Sequence, residues 1–134
     1  MRRHVWLGGV TLVAAMALSN CTDKVGIQVS ERFTADLKGT NERPTQVTTT
    51  ATGSATFTYV ADIPALFYRI DVAGIDSAFA AHIHAPAGMT PDSVLVLLRN
   101  GHAYVNVHTR GTVNATTGSG GHQGGELRGQ VVRQ

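Results

Sequence analysis

The sequence predicts an all-β fold, an antiparallel Greek-key β-sandwich or barrel of about seven strands. Apolar and polar residues alternate with a period of two through most of the chain after residue 31. Glycine and proline interrupt these runs at short intervals, as expected for turns between short strands. No stretch carries apolar residues at helical spacing over several turns, so we expect strands rather than helices.

The first half of the chain predicts three strands, at residues 32–38, 54–59 and 66–72. In the first, Phe33, Ala35 and Leu37 alternate with polar residues, so their side chains share one face. The same alternation places on one face of the second strand Ala55, Phe57 and Tyr59, and on one face of the third Leu66, Tyr68, Ile70 and Val72. Residues 45–52 are rich in threonine and are compatible with either a strand or a loop.

The second half predicts four further strands, at residues 79–84, 93–99, 102–109 and 126–132. Residues 109–125 are rich in Gly, Thr and Ser and predict a long loop.

Asn100-Gly101 between two apolar runs predicts a β-hairpin with a two-residue turn. Such a turn would set the pairs Arg99–His102, Leu98–Ala103, Val96–Val105 and Val94–Val107. The valines would then face the core. The opposite face of the second strand would carry His102, Tyr104, Asn106 and His108.

The N-terminus has the layout of an export signal. Arg2 and Arg3 precede an apolar run that is shorter than the roughly 20 residues of a membrane span, and Cys21, the only cysteine, follows the run. This pattern resembles a bacterial lipoprotein signal, in which the cysteine is lipidated and becomes the new N-terminus. An ordinary secretory signal with an incidental cysteine is the alternative.

The sequence therefore predicts a signal peptide at residues 1–20, a tether at 21–31 and one β-domain at 32–134. The chain has 11 Lys and Arg against 9 Asp and Glu, so removal of Arg2 and Arg3 brings the two totals level. Without a basic cluster we expect no nucleic acid partner. The membrane would be reached only through the lipid on Cys21. Thr22 after the cysteine resembles outer-membrane sorting patterns, which implies an envelope protein facing the periplasm or the surface.

Four sequence blocks resemble the signature blocks of the CHRD (chordin) domain family. They occur in the family's order over roughly residues 32–132, and read LKGTNERP from Leu37, AHIHAPAG from Ala81, YVNVHT from Tyr104 and GELRGQ from Gly125. The resemblance implies an extracytoplasmic β-sandwich module, found alone in bacteria and repeated in animal chordin. It implies a fold more readily than an activity. The predicted sandwich is immunoglobulin-like or superoxide-dismutase-like, the latter by analogy with the His-x-His strand of copper–zinc superoxide dismutase.

Three histidines form the candidate metal site. His82 and His84, two residues apart on a predicted strand, point to the same face, and His108 lies on the non-core face of its own strand. Imidazole nitrogens suit copper and zinc. His122 is a possible fourth ligand from the long loop, and Glu126 a possible acceptor that orients a ligand. His102 is excluded, because six residues of strand place it roughly 20 Å from His108.

Three functions remain open at this point. The first is a surface-anchored module that binds copper or zinc through His82, His84 and His108. The second is a structural or protein–protein interaction module, in which these histidines form a polar cluster without metal. The third, a small metalloenzyme, is disfavoured because no complete catalytic set is visible, so we assign no catalytic residue.

Overall fold

The computed structural model describes residues 29–85 and 94–134. Seven strands, one α-helix and one 3₁₀ turn follow in chain order: β1 Val29–Lys38, the 3₁₀ turn Gly39–Asn41, β2 Thr52–Val60, β3 Ala65–Ala73, β4 Ala78–His84, α1 Val94–Arg99, β5 Tyr104–Thr109, β6 Leu127–Gln130 and β7 Val132–Arg133. The predicted signal peptide and Cys21 lie outside the described residues. β1 begins at Val29, within residues 21–31, the predicted tether.

The strands form one antiparallel sheet in the order β3-β2-β1-β6-β5-β4, and β7 pairs with β1 beside β6. Each half of the sheet is a meander of three consecutive strands, and the halves join where Lys38 of β1 pairs with Arg128 of β6. The sheet curls into a half-barrel, which confirms the predicted all-β class. β3 and β4 are its two edge strands.

The concave face of the sheet holds the core, and the predicted alternation is confirmed in β1 and β2. In the edge strand β3 it is not, because Tyr68 and Val72 are exposed. Phe33 pairs with Phe57 and Ala35 with Ala55, and all four are buried. Val105 of β5 contributes from the other meander. Because side chains of one strand alternate between faces, the same registers send the polar residues of these strands to the convex face.

The predicted strand at 93–99 is wrong, because Val94–Arg99 forms the helix α1. Leu97 and Leu98 are buried against the sheet, whereas Val96 is 48 % exposed. The hairpin register is therefore wrong as well, and Val105 instead pairs with Ile83 and Gly129. A short apolar run such as this one fits a buried strand and a buried helix equally well.

Asn100-Gly101 ends the helix rather than turning a hairpin. Gly101 has φ +65°, its N–H donates to the Leu98 carbonyl (3.2 Å), and the His102 N–H donates to the Leu97 carbonyl (2.9 Å). These two hydrogen bonds are those of a Schellman motif, which satisfies the last carbonyls of a helix. The left-handed conformation that Asn-Gly favours serves this cap as well as it serves a type I′ turn.

The boundaries of the other strands differ from the predicted ones by a few residues. Residues 45–51 form no strand, and β2 begins at Thr52, so the loop alternative is the one observed there. β5 starts at Tyr104 rather than residue 102, and the strand predicted at 126–132 is divided between β6 and β7. The segment between Thr109 and Leu127 is a long loop as predicted.

Candidate metal centre

The pairing of β4 with β5 places the candidate histidines on one face. His82 pairs with Asn106, His84 with Tyr104, and His108 with Ala80. Ala81 and Ile83, which alternate with the two histidines of β4, pair with the buried Val107 and Val105. The histidines consequently lie on the convex face, near the edge of the half-barrel.

His82, His84 and His108 each offer a ring nitrogen, and these three nitrogens lie within 4.8 Å of one another. The ring centroids of His82 and His108 are 4.9 Å apart, and those of His82 and His84 are 5.5 Å apart. His82 is exposed and the other two are half-buried. The structure thus brings together the three residues that the sequence analysis selected, at a place that solvent reaches.

Hydrogen bonds define the tautomer of His108. Its Nδ1 lies 2.9 Å from the carbonyl oxygen of Gln123, which can only accept, so Nδ1 of a neutral His108 carries the proton. Nε2 then holds a lone pair, and His82 Nδ1 donates to it at 3.0 Å. A backbone carbonyl that fixes the second nitrogen of an imidazole is a common arrangement behind metal-ligating histidines.

His84 is positioned by aromatic contacts. Its ring stacks on Tyr104 with centroids 5.0 Å apart and an interplanar angle of 15°, and the Arg128 guanidinium carbon lies 3.3 Å from the centre of the Tyr104 ring. Burial lowers the pKa of His84, and the nearby His82, His108 and Arg128 lower it further. A lowered pKa keeps this imidazole in the neutral form that binds metals.

His122 does not join the three histidines. Its Nε2 lies 2.9 Å from the Gly118 carbonyl oxygen, so it donates within its own loop. The main chain of His122 binds Thr109 twice, through its N–H to the hydroxyl (3.0 Å) and its carbonyl to the Thr109 N–H (3.1 Å). His122 therefore shapes the loop whose next residue, Gln123, orients His108.

Glu126 is fully buried and has partners other than the histidines. Its carboxylate accepts hydrogen bonds from the hydroxyls of Thr49 (2.8 Å) and Thr109 (2.8 Å) and from the Gly120 N–H (2.9 Å). Burial by itself raises the pKa of Glu126, but the hydrogen bonds from Ser119, Gly120, Thr109 and Thr49 outweigh it and lower the pKa. Glu126 thus joins three segments of the chain, and these hydrogen bonds do not involve the three histidines.

Glu42 and Asn106 form a buried polar pair that connects two of the blocks that resemble the CHRD family, LKGTNERP and YVNVHT. Asn106 Nδ2 donates to Glu42 Oε1 at 2.7 Å, and both residues are buried. Burial raises the pKa of Glu42, and the hydrogen bond from Asn106 opposes this. Gly125 lies so close that a Cβ there would be 2.6 Å from Asn106 Nδ2. This pair stabilises β5, the strand that pairs with His82, and neither residue was predicted as part of the site.

His102 lies outside the histidine group, as predicted, but for a different reason. It precedes β5 and is exposed next to the helix cap instead of standing at the far end of the same strand. The contributions of Gln123 and Tyr104 were not predicted. The Gln123 contribution comes from a backbone carbonyl, for which the residue type carries no signal.

Comparison with protein-family models identifies one match, to the CHRD domain, over residues 33–131. Comparison with curated proteins found no significant match, and neither did comparison with solved structures. CHRD domains occur in extracellular and secreted proteins. Within the described residues, no helix combines the length and the apolar character that a membrane span requires. Since the match covers the sheet from β1 to Val131, including the histidine strands, this chain belongs to the CHRD domain family.

Proposed function

We propose that this CHRD protein is an exported lipoprotein whose single domain binds copper or zinc through His82, His84 and His108. The observation that carries the metal proposal is the convergence of three imidazole nitrogens within 4.8 Å on a solvent-accessible face. Zinc–imidazole bonds of about 2.0–2.1 Å in tetrahedral geometry need nitrogens about 3.3 Å apart. Small side-chain movements from the observed arrangement achieve this.

The hydrogen bond between His108 and Gln123 favours ligation, whereas the one between His82 and His108 must be exchanged for the metal ion. His108 offers the lone pair on Nε2, because the Gln123 carbonyl holds the proton on Nδ1. His82 Nδ1 donates its proton to His108 Nε2 in the observed arrangement. Transfer of that proton to Nε2 of His82, which gives the other neutral tautomer, frees both nitrogens of this hydrogen bond for a metal ion. A fourth coordination position falls to water or to a donor from a partner, which is compatible with binding or delivery of the ion.

Titration calorimetry of the metal-stripped mature protein is expected to show saturable one-to-one uptake of Cu(II) or Zn(II), with copper tighter by the general order of divalent affinities. His84→Ala and His108→Ala should each weaken binding by at least about tenfold, which is the lower end of the cost of losing even an outer-shell partner. Affinity should fall below about pH 6.5, because protons compete for the imidazoles.

His102→Ala is the matched control, since His102 is a histidine of the same protein that lies outside the group. It should bind metal as the parent does. No saturable uptake at micromolar metal, or equal losses in His102→Ala and His108→Ala, would favour the second candidate function. In that case the 3.0 Å contact between His82 and His108 is a structural hydrogen bond in an interaction module without metal.

The lipid anchor has its own test. Cys21→Ser should yield either a soluble exported protein or an unprocessed precursor, because the proposed attachment to the envelope depends on acyl chains at this residue. Membrane fractionation with mass measurement of the N-terminus provides the readout. A processed variant that stays tightly membrane-bound would contradict the lipoprotein proposal and, with it, the assignment to the outer membrane.

A further inference from the structure

An open cavity of about 290 Å³, which we name the arginine cavity, is lined by four side chains: Asn41, Arg43, Arg128 and Gln130. Arg128 and Gln130 alternate along β6 with the buried Leu127, which places them on the convex face of the sheet. Asn41 and Arg43 come from the segment that follows β1. None of the four is a candidate metal ligand, so the arginine cavity is a separate feature of the convex face.

The guanidinium group of Arg128 is held in place by Tyr104. Tyr104 pairs with His84 of β4 on one side and with Gln130 of β6 on the other, so the His84 ring and the Arg128 guanidinium cover opposite faces of the Tyr104 ring. The guanidinium carbon lies 3.3 Å from the ring centroid. Stacking on a ring leaves the N–H groups of a guanidinium free to donate, because they point outward in its own plane.

The guanidinium group of Arg43 is held by main-chain carbonyls. Its Nη1 donates to the Glu42 carbonyl at 2.7 Å and to the Thr40 carbonyl at 3.2 Å. Asn41 Nδ2 donates to the Arg128 carbonyl at 3.1 Å, which joins this segment to β6. The N–H groups on Nε and Nη2 of Arg43 remain available to a ligand. Both arginines are thus positioned by neutral groups that leave donors free.

The arginine cavity has a positive charge that its surroundings balance only in part. No carboxylate lines it, and in the described part of the chain neither arginine forms a salt bridge. Lys38, which pairs with Arg128, forms a salt bridge with Asp36, so these two add no net charge. Glu42 attracts Arg128 electrostatically, but burial raises the pKa of Glu42 and disfavours its charged form. Glu42 therefore balances at most one of the two guanidinium charges.

Two guanidinium groups that line one cavity suit an oxyanion, because Arg binds phosphate and carboxylate oxygens through pairs of N–H donors. A phosphate monoester carries about −1.5 to −2 charge at pH 7, more than a carboxylate, and so matches the positive excess better. Ligand pockets commonly have about 300–1,000 Å³, so a cavity at the lower limit of this range suits a small ligand.

The two amide side chains restrict the ligand further. The Asn41 and Gln130 side-chain nitrogens already donate to main-chain carbonyls, Asn41 to that of Arg128 and Gln130 to that of Ala103. What these amides can still offer a ligand is their carbonyl oxygens, which only accept hydrogen bonds. A carrier with hydroxyl groups supplies the matching donors.

We propose that the arginine cavity binds a small, hydroxyl-bearing phosphate monoester, with the phosphate group on Arg43 and Arg128 and the hydroxyl groups toward Asn41 and Gln130. This site does not depend on metal binding by the histidines, because Tyr104 lies between Arg128 and the nearest of them, His84.

Titration calorimetry of the metal-stripped mature protein with glycerol 3-phosphate tests the proposal. At about pH 7.5, where a phosphate monoester with a second pKa near 6 is mostly dianionic, we expect saturable one-to-one binding. Arg43→Gln and Arg128→Gln should each weaken it by at least about tenfold, a factor typical of losing a hydrogen bond to a charged group. Acetate should bind more weakly than glycerol 3-phosphate, because it carries less charge and no hydroxyl group.

Arg110→Gln is the matched control. The exposed Arg110 also lies over an aromatic ring, that of Phe79 at 4.5 Å, but it does not line the arginine cavity, so this variant should bind as the parent does. Thermal unfolding checks that each variant is folded, and if Arg128→Gln is not, the exposed Arg43 decides the result. The absence of saturable binding, acetate that binds as tightly as glycerol 3-phosphate, or equal losses in Arg110→Gln and Arg43→Gln would each overturn the proposed site.

Discussion

Val105→Asp is expected to lower the free energy of unfolding by about 3–5 kcal/mol, because it places an unpaired carboxylate in the core. Val105 is fully buried at the centre of β5, between Ile83 and Gly129 on the neighbouring strands. Equilibrium denaturation of the purified domain measures the loss. If the variant does not fold at all, Val105→Thr, which retains the volume but adds a buried hydroxyl, should show a smaller loss in the same direction.

Val96→Asp is the matched control for this change. Had Val96 paired with Val105 in a hairpin, both substitutions would be equally costly. Because Val96 is on the exposed side of α1, we expect a change within about 0.5 kcal/mol. Equal losses from the two substitutions would restore the hairpin and contradict the helix.

Glu126→Ala is expected to cost about 3–5 kcal/mol as well, through loss of a buried hydrogen-bond network. The substitution leaves the hydroxyls of Thr49 and Thr109 and the Gly120 N–H without their acceptor. Those donors belong to three different segments, so the loop after β1 and the loop between β5 and β6 should lose stability together. Hydrogen exchange of the segment between β5 and β6 is expected to rise along with the loss measured by denaturation.

Asp36→Ala is the control, since Asp36 is an exposed carboxylate whose surface pair with Lys38 contributes at most about 1 kcal/mol.

The pH dependence of stability gives a second readout for Glu126. The folded-state pKa of Glu126 is lowered, so its stabilisation is present above its ordinary pKa of 4.5 and is lost as the pH falls through the lower folded value. Glu126→Gln should abolish that part of the acid sensitivity. A stable Glu126→Ala protein with unchanged acid sensitivity would show that the network is dispensable.

The fold was predictable where apolar and polar residues alternate over several consecutive positions. In β1 and β2, the alternation of Phe33, Ala35 and Leu37 with polar residues, and of Ala55 and Phe57 with threonines, identifies both the strands and their buried faces. The same reasoning failed at α1, because a six-residue apolar run has no period to read and because Asn100-Gly101 suits both a hairpin turn and a helix cap.

The three candidate ligands were predictable from the sequence, but the groups that orient them were not. His82 and His84 share a face by strand geometry alone, and His108 was assigned to the outer face through a register that proved wrong. The assignment of His108 holds nonetheless, because the alternation within β5 sends Val105 and Val107 inward whichever strand lies beside them. Gln123, which orients His108, contributes through its backbone.

By itself the sequence determined the all-β class, the buried faces of β1 and β2, the family and the three candidate ligands, because each follows from the period of a strand or from a compact motif. Only the tertiary structure decided which strands are neighbours, that residues 94–99 form a helix, and that Glu126 and His122 brace loops instead of joining the histidines. These depend on contacts between residues far apart in the chain, such as Thr49 with Glu126 and Gln123 with His108. Local propensity carries no information about such contacts, whose energies are realised only when the whole sheet has closed around its core.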